Sequence, residues 1–203
     1  ILAICVAGLL ALGIVVLYSA GMSQSGARFR NMQLVGVGLG MMVCFIATAI
    51  DYRWLKKIAL PLFAFSLVLL LLVLIPGIGL KLNGARRWFD LGPMNFQPSE
   101  LAKISIVLAL AAWAELHSKR MSEFKYGLAI PGLGICLALG LIFVEPDYGT
   151  TMLLASVCCI LLFIAGSNWK YLIPPMGVGA FAIVLSIMND PVRKKRIMAF
   201  LYP

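Results

Sequence analysis

An all-α, polytopic transmembrane helix bundle is the fold class this sequence predicts, and three observations carry that reading. The 203 residues are 62% hydrophobic and 12% charged, with a mean hydropathy of +1.00. Soluble domains carry roughly a quarter of their residues as Asp, Glu, Lys or Arg, so this composition exceeds what a core of that size hides from water. The apolar residues fall in runs of about 17 to 25, the length that crosses roughly 30 Å of hydrocarbon as helix. Pro and Gly occur inside those runs, as membrane helices allow.

Hydropathy places seven spans at 1–20, 32–50, 58–80, 98–116, 127–144, 150–167 and 171–188, in a single integral membrane domain over 1–203. The first ends in Tyr18-Ser19, an aromatic suited to the interface belt. No basic stretch precedes it, so it reads as a helix and not a signal peptide. Spans 2 and 5 carry Gly36, Gly38 and Gly40, and Gly132, Gly134 and Gly140; the Gly36-x-x-x-Gly40 spacing predicts close helix packing. Span 4 opens on Pro98, whose missing N–H is harmless in a first turn, and Glu100 follows near the positive helix end. Span 7 opens with Pro174-Pro175, predicted to kink the helix or delay its start. The chain begins apolar without Met and stops soon after Arg193-Lys194-Lys195-Arg196, so a fragment of a longer protein is expected.

The formal charge of +9 favours, in a membrane chain, anionic lipid or an anionic substrate over nucleic acid. Of the 17 Lys and Arg, seven fall on one side of the bundle (Arg53, Lys56, Lys57, Lys119, Arg120, Lys125, Lys170) and ten on the other. The positive-inside rule therefore does not choose an orientation. If the richer side is external, its cations serve an anionic ligand. The five cysteines sit in apolar runs, form no CxxC pair and lie far from His117, which excludes a disulfide framework and a metal cluster.

The chemistry-bearing residues gather in a polar island, Lys81–Lys103, and in the turn Glu145-Pro146-Asp147-Tyr148-Gly149-Thr150 on the same side. After the turn signals Pro76-Gly77 and Asn83-Gly84, Arg86-Arg87-Trp88 reads as an interfacial or re-entrant piece. Its arginine forks suit phosphate, or the segment anchors among headgroups. Glu100 and Lys103 share a helical face. A charge near the bilayer centre costs about 2.5 to 3.5 kcal/mol, so the pair is expected to face the bundle interior or a wet cavity, as substrate wall or structural ion pair. Asp147 caps span 6, or else Glu145 and Asp147 do acid/base work or hold a divalent cation, the one cofactor left open. Such a face suits an amphiphile with a phosphate head.

Asn83-Gly84-Ala85-Arg86-Arg87-Trp88, Phe96-Gln97-Pro98-Ser99-Glu100-Leu101-Ala102-Lys103, the Glu145–Thr150 turn, Arg196–Pro203 and Leu17-Tyr18-Ser19-Ala20 together resemble the SEDS family of bacterial cell-wall proteins, the FtsW/RodA/SpoVE group. The first motif is more similar to the division branch, FtsW, than to the elongation branch. The resemblance implies a ten-helix fold in the bacterial inner membrane, with the island and the turn external. It implies peptidoglycan glycosyltransfer from lipid II, with release of undecaprenyl pyrophosphate and in company with a class B penicillin-binding protein transpeptidase and other divisome or elongasome membrane proteins. It also implies that the catalytic carboxylate, in a histidine-threonine-aspartate motif, lies beyond residue 203. Within this chain Arg86, Arg87, Trp88, Gln97, Glu100, Lys103, Glu145 and Asp147 are then expected to hold substrate or line its cavity. A lipid II flippase and a non-catalytic divisome scaffold are the alternative functions.

Overall fold

The computed structural model describes residues 2–21, 26–82, 85–90 and 95–189. Seven α-helices lie among them: α1 (Leu2–Gly21), α2 (Gly26–Ala49), α3 (Tyr52–Leu74), α4 (Pro98–Leu116), α5 (Ile130–Val144), α6 (Tyr148–Ile164) and α7 (Trp169–Asn189). Each predicted span finds its helix, and α4 keeps the predicted bounds because Pro98 occupies its first position. α2 and α3 start about six residues earlier than predicted, at Gly26 and Tyr52, and two further bounds move for local reasons. α3 stops at Leu74, where Pro76 and Gly77 enter a turn and the next apolar residues go into a strand. α7 starts upstream of Pro174 and Pro175, which lie inside it, because Asn168 Oδ1 accepts the Lys170 amide at 3.1 Å and so satisfies one orphan N–H of the first turn.

Large apolar side chains point outward: Phe45 is 79% exposed, Ile164 75%, Leu133 73% and Leu9 71%. Surfaces of that kind match hydrocarbon and not water. The segments Tyr52–Leu74 and Lys125–Val144 are long and apolar enough to cross a membrane, with mean hydropathies of 2.6 and 2.4. Only 22% of each is buried within the protein, which sets them apart from the core helices of a soluble fold.

Two compact units make up the chain, 1–52 and 53–203. In the first, α1 packs on α2. Among the described residues Gly36, Gly38 and Gly40 do not form the close helix contact expected of them, since a methyl at any of the three would meet nothing within 4 Å. In the second, α6 packs against α4, α5 and α7, around Leu70, Ala102, Ile106, Ala138, Ile142, Leu154 and Cys158. Here small residues do bring helices together. A methyl on Gly134 would stand 3.3 Å from the Phe63 ring, and the hydroxyls of Ser66 and Ser105 meet at 2.8 Å in the buried α3–α4 contact.

The part of the polar island read as an interfacial or re-entrant piece, Arg86-Arg87-Trp88, lies in a strand. The island folds into a small antiparallel sheet of β1 (Leu80–Leu82), β2 (Ala85–Asp90) and β3 (Asn95–Phe96), in that order. Leu82 pairs with Ala85, Lys81 with Arg86, and Leu80 with Trp88, so Arg87 is the extra residue of a bulge. Bulges break strict alternation and re-aim a side chain. β2 lies against α4, which brings this bulge to the start of that helix.

Candidate functional site

Helix termini set the chemistry of the site. α5 ends at Val144 with Glu145 as its C-cap, and α6 starts at Tyr148 with Asp147 as its N-cap. The last carbonyls of a helix lack intrahelical partners and carry partial negative charge. Arg87, released from the β1 ladder by the bulge, supplies the missing donors. Its Nε donates to the Glu145 carbonyl and its Nη2 to the Pro146 carbonyl, both at 2.6 Å. Nη1 stands 3.9 Å from Asp147 Oδ2. A guanidinium from a strand thus closes the end of α5, a role cations favour at that terminus.

Asp147 is already committed to α6. Its Oδ1 accepts the Thr150 amide at 3.3 Å and its Oδ2 accepts the Thr150 hydroxyl at 2.9 Å, while its carbonyl accepts from Thr151 Oγ1 at 2.7 Å. The capping expectation for this residue is met in full. Phe143 and Tyr148 brace the turn edge to face, with ring centroids 4.9 Å apart.

Glu145 is the unusual group. Its side chain is 1% exposed, and neither carboxylate oxygen has a hydrogen-bond donor among the described residues. Burial raises its pKa to about 8, against the lowering influence of Arg87 and with a smaller raising contribution from Asp147. Burial thus favours its protonated, neutral form. Ser99 Oγ, in the first turn of α4, is likewise buried without a partner.

Glu100 and Lys103 form the expected i,i+3 ion pair at 2.8 Å. Their side chains are 60% and 30% exposed, so the pair lies at the surface of this unit and not in its core. Gln97 is the N-cap of α4 but makes no side-chain cap. Arg86 and Trp88 are half-buried on β2, and the backbone register sets Lys81 directly across from Arg86. The structure thus unites Arg87, Glu145 and Asp147 and pairs Glu100 with Lys103. Arg86, Trp88 and Gln97 make no hydrogen bond or ion pair with these. The run Arg193–Arg196 lies outside the described residues. Among the described residues no group of three or more His, Cys, Asp or Glu is placed to hold a metal.

Sequence reasoning passed over a second constellation, at the far end of α4. Trp113 and His117 stack with centroids 3.9 Å apart, and Tyr126 stacks on His117 at 5.2 Å. Trp113 Nε1 donates to the Tyr126 carbonyl at 3.0 Å, within a π-helical turn (Lys125–Ala129) that leads into α5. Arg120 lies over the Tyr126 ring at 4.3 Å and donates to the Tyr126 hydroxyl and to Glu123. Gly127 is required there, since a side chain would run into the Met121 carbonyl. The one signal in the sequence was the i,i+4 spacing of Trp113 and His117.

Comparison with known proteins agrees with this fold. A family model described as "Cell cycle protein", covering FtsW, RodA and SpoVE, matches residues 1–203. The chain is similar to the probable peptidoglycan glycosyltransferase FtsW of Allochromatium vinosum, at 34% identity over 100% of this chain and 52% of that protein. It is similar to the stage V sporulation protein E of Bacillus subtilis, at 31% identity over 96% of this chain and 55% of that protein. Among solved structures, the rod shape determining protein RodA of Thermus thermophilus superposes with a TM-score of 0.77 and 34% identity, over 93% of this chain and 59% of that one. A chain of a peptidoglycan synthase complex that coordinates polymerization and crosslinking matches with a TM-score of 0.73 and 31% identity, over 96% of this chain and 58% of that one. The chain spans about half the length of the curated relatives it matches. Outward apolar helices, an arginine-closed turn on one end of a helical unit and a match along every residue lead to one conclusion: this chain belongs to the FtsW/RodA/SpoVE family of membrane-associated cell cycle proteins.

Proposed function

We propose that the whole protein polymerises lipid-linked peptidoglycan precursor at the outer face of the bacterial inner membrane, and that residues 1–203 supply the part of its single membrane domain that holds the precursor's pyrophosphate. The sugar hydroxyl of one lipid II attacks the anomeric carbon of another glycan, and undecaprenyl pyrophosphate leaves. That reaction calls for a base at the hydroxyl and for cations at the developing pyrophosphate charge. The observation that carries the reading is the β1–β2 register. Like charges directly opposite in a ladder repel, yet Lys81 faces Arg86 beside a third cation, Arg87. An anion brought to that end relieves the repulsion.

The Arg87 fork is already spent on two carbonyls, so Arg86 and Lys81 are the better phosphate contacts and Arg87 is the strut that holds their strand in place. Lys103, with Glu100 beside it, borders the same end of α4. The base is supplied from outside residues 1–203. A class B penicillin-binding protein transpeptidase is the proposed partner, in keeping with the synthase complex that a structural neighbour forms.

Polymerisation of purified lipid II by the full-length protein is the test. Arg86→Ala, Arg87→Ala and Glu100→Ala are each expected to lower the yield of glycan chains at least about tenfold, the scale of losing one charged contact. Undiminished polymer from all three removes these residues from the site. Movement of labelled lipid II across vesicles without polymer would favour a flippase instead.

A further inference from the structure

Arg87 lies beside a buried carboxyl group yet gives its hydrogen bonds to something else. Two of its donors go to the carbonyls of Glu145 and Pro146, while both oxygens of the Glu145 side chain have no donor among the described residues. A guanidinium bonded to a carboxylate joins two ionised partners, often through two parallel N–H···O bonds, whereas a carbonyl brings no charge of its own. A fork that takes carbonyls next to an anion would be in the weaker of two arrangements. With a neutral acid at Glu145, the carbonyls become the better acceptors and no buried charge is left uncompensated.

We propose that Glu145 is a positioning residue that works as a neutral carboxylic acid, and that its proton decides whether Arg87 closes the end of α5 or turns to the side chain. Loss of the proton creates a buried anion that draws the fork off the two carbonyls. The β2 bulge loses its anchor on the 145–147 turn, and Arg86, the next residue on the strand, loses its fixed place. Among the described residues, the charged groups that bear on Glu145 are Arg87 from β2 and Asp147 from the turn itself, while Glu100 and Lys103 on neighbouring α4 pair with each other. For its consequence in polymerisation the inference rests on the function proposed above, but infrared and exchange readouts use no polymerisation, so failure of either is told from failure of the other.

The test uses full-length protein in detergent or nanodiscs. The C=O stretch of a protonated carboxyl, followed by infrared difference spectroscopy, is expected to disappear in the wild type with a midpoint near pH 8. Glu145→Gln should abolish that band and Glu145→Asp should move it. Hydrogen exchange of the 85–90 amides is expected to match in wild type and Glu145→Gln at about pH 6. At about pH 9.5 it should be about tenfold faster in the wild type. The sign follows from linkage: a carboxyl with a raised folded pKa stabilises fully below about 4.5, and that contribution is lost as pH rises to about 8. A wild type with no carboxyl band titrating above about pH 7, or equal exchange at both pH values, overturns the proposal. If Glu145→Gln does not fold, the wild-type band and its shift in Glu145→Asp decide alone.

Discussion

The two ends of α4 hold charge in opposite ways. They stand about 28 Å apart along a helix of 19 residues. At the first, a buried carboxyl has no donor, a second is tied up as a helix cap, and an arginine reaches over from a strand to grip two backbone carbonyls. At the other, Lys56, Glu115, Arg120 and Glu123 sit near or on the surface in direct ion pairs, beside a stack of three rings. The first arrangement is costly and depends on one side chain; the second is inexpensive and redundant. A fold that needed only stability would use the second kind at both ends. The end with polar groups left short of partners is the one at which the proposed function places its anionic ligand.

Breaking the first end should have the largest effect. Arg87→Ala removes two charge-assisted hydrogen bonds to the part-buried carbonyls of residues 145 and 146, at a cost of about 3 kcal/mol. Arg87→Lys restores less than half of that, because a point charge cannot span both carbonyls. Denaturant unfolding in detergent checks both, and equal loss in Lys and Ala variants would confirm the fork as the active feature. A loss below about 0.5 kcal/mol in Ala would remove the strut.

Next in size is the ring stack. Trp113→Ala is expected to cost about 2 to 3 kcal/mol through lost area and stacking, and Trp113→Phe about 1 kcal/mol through the lost indole hydrogen bond to Tyr126. Lipid II polymerisation by the folded Trp113→Phe protein should stay at the wild-type level. A large drop there would mean that the contrast between the ends is wrong.

Smaller again is the cap. Asp147→Asn keeps an acceptor for the Thr150 amide and should cost about 0.5 kcal/mol, whereas Asp147→Ala should cost about 1 kcal/mol. An Asn cost as large as that of Ala would show that Asp147 acts mainly as a charge toward Arg87. The smallest effect belongs to the exposed pair of Arg120 and Glu123, where Glu123→Gln should leave the unfolding midpoint nearly unchanged, and the more so in high salt.

Much of the first end was legible in particular residues. Pro98 and Glu100 mark a helix start by their own backbone and charge preferences, and Asp147 reads as a cap from its place before Thr150. Glu100 and Lys103 pair because three residues make nearly one turn. The glycines of span 2 misled, because close packing needs a neighbour at that height and none meets them. Of the two effects expected of Pro174 and Pro175, the delayed start did not occur, since Asn168 had already started the helix. The sheet escaped because the strands of the island are short, and their pairing depends on turns that bring residues 80–82 back onto 85–90.

Taken alone, the sequence determined that this is a helical membrane protein, where each helix lies and which segment is polar. Those are local properties, set by hydropathy over a span's length and by the preferences of capping residues. The tertiary structure alone decided what Arg87 does. Its acceptors are main-chain carbonyls 58 and 59 positions away, and every residue has such a carbonyl. No side chain announces that a helix end will be left open for a strand to close. That contact, and the burial of the Glu145 carboxyl beside it, exist because folding brings a bulge and a helix terminus to the same place.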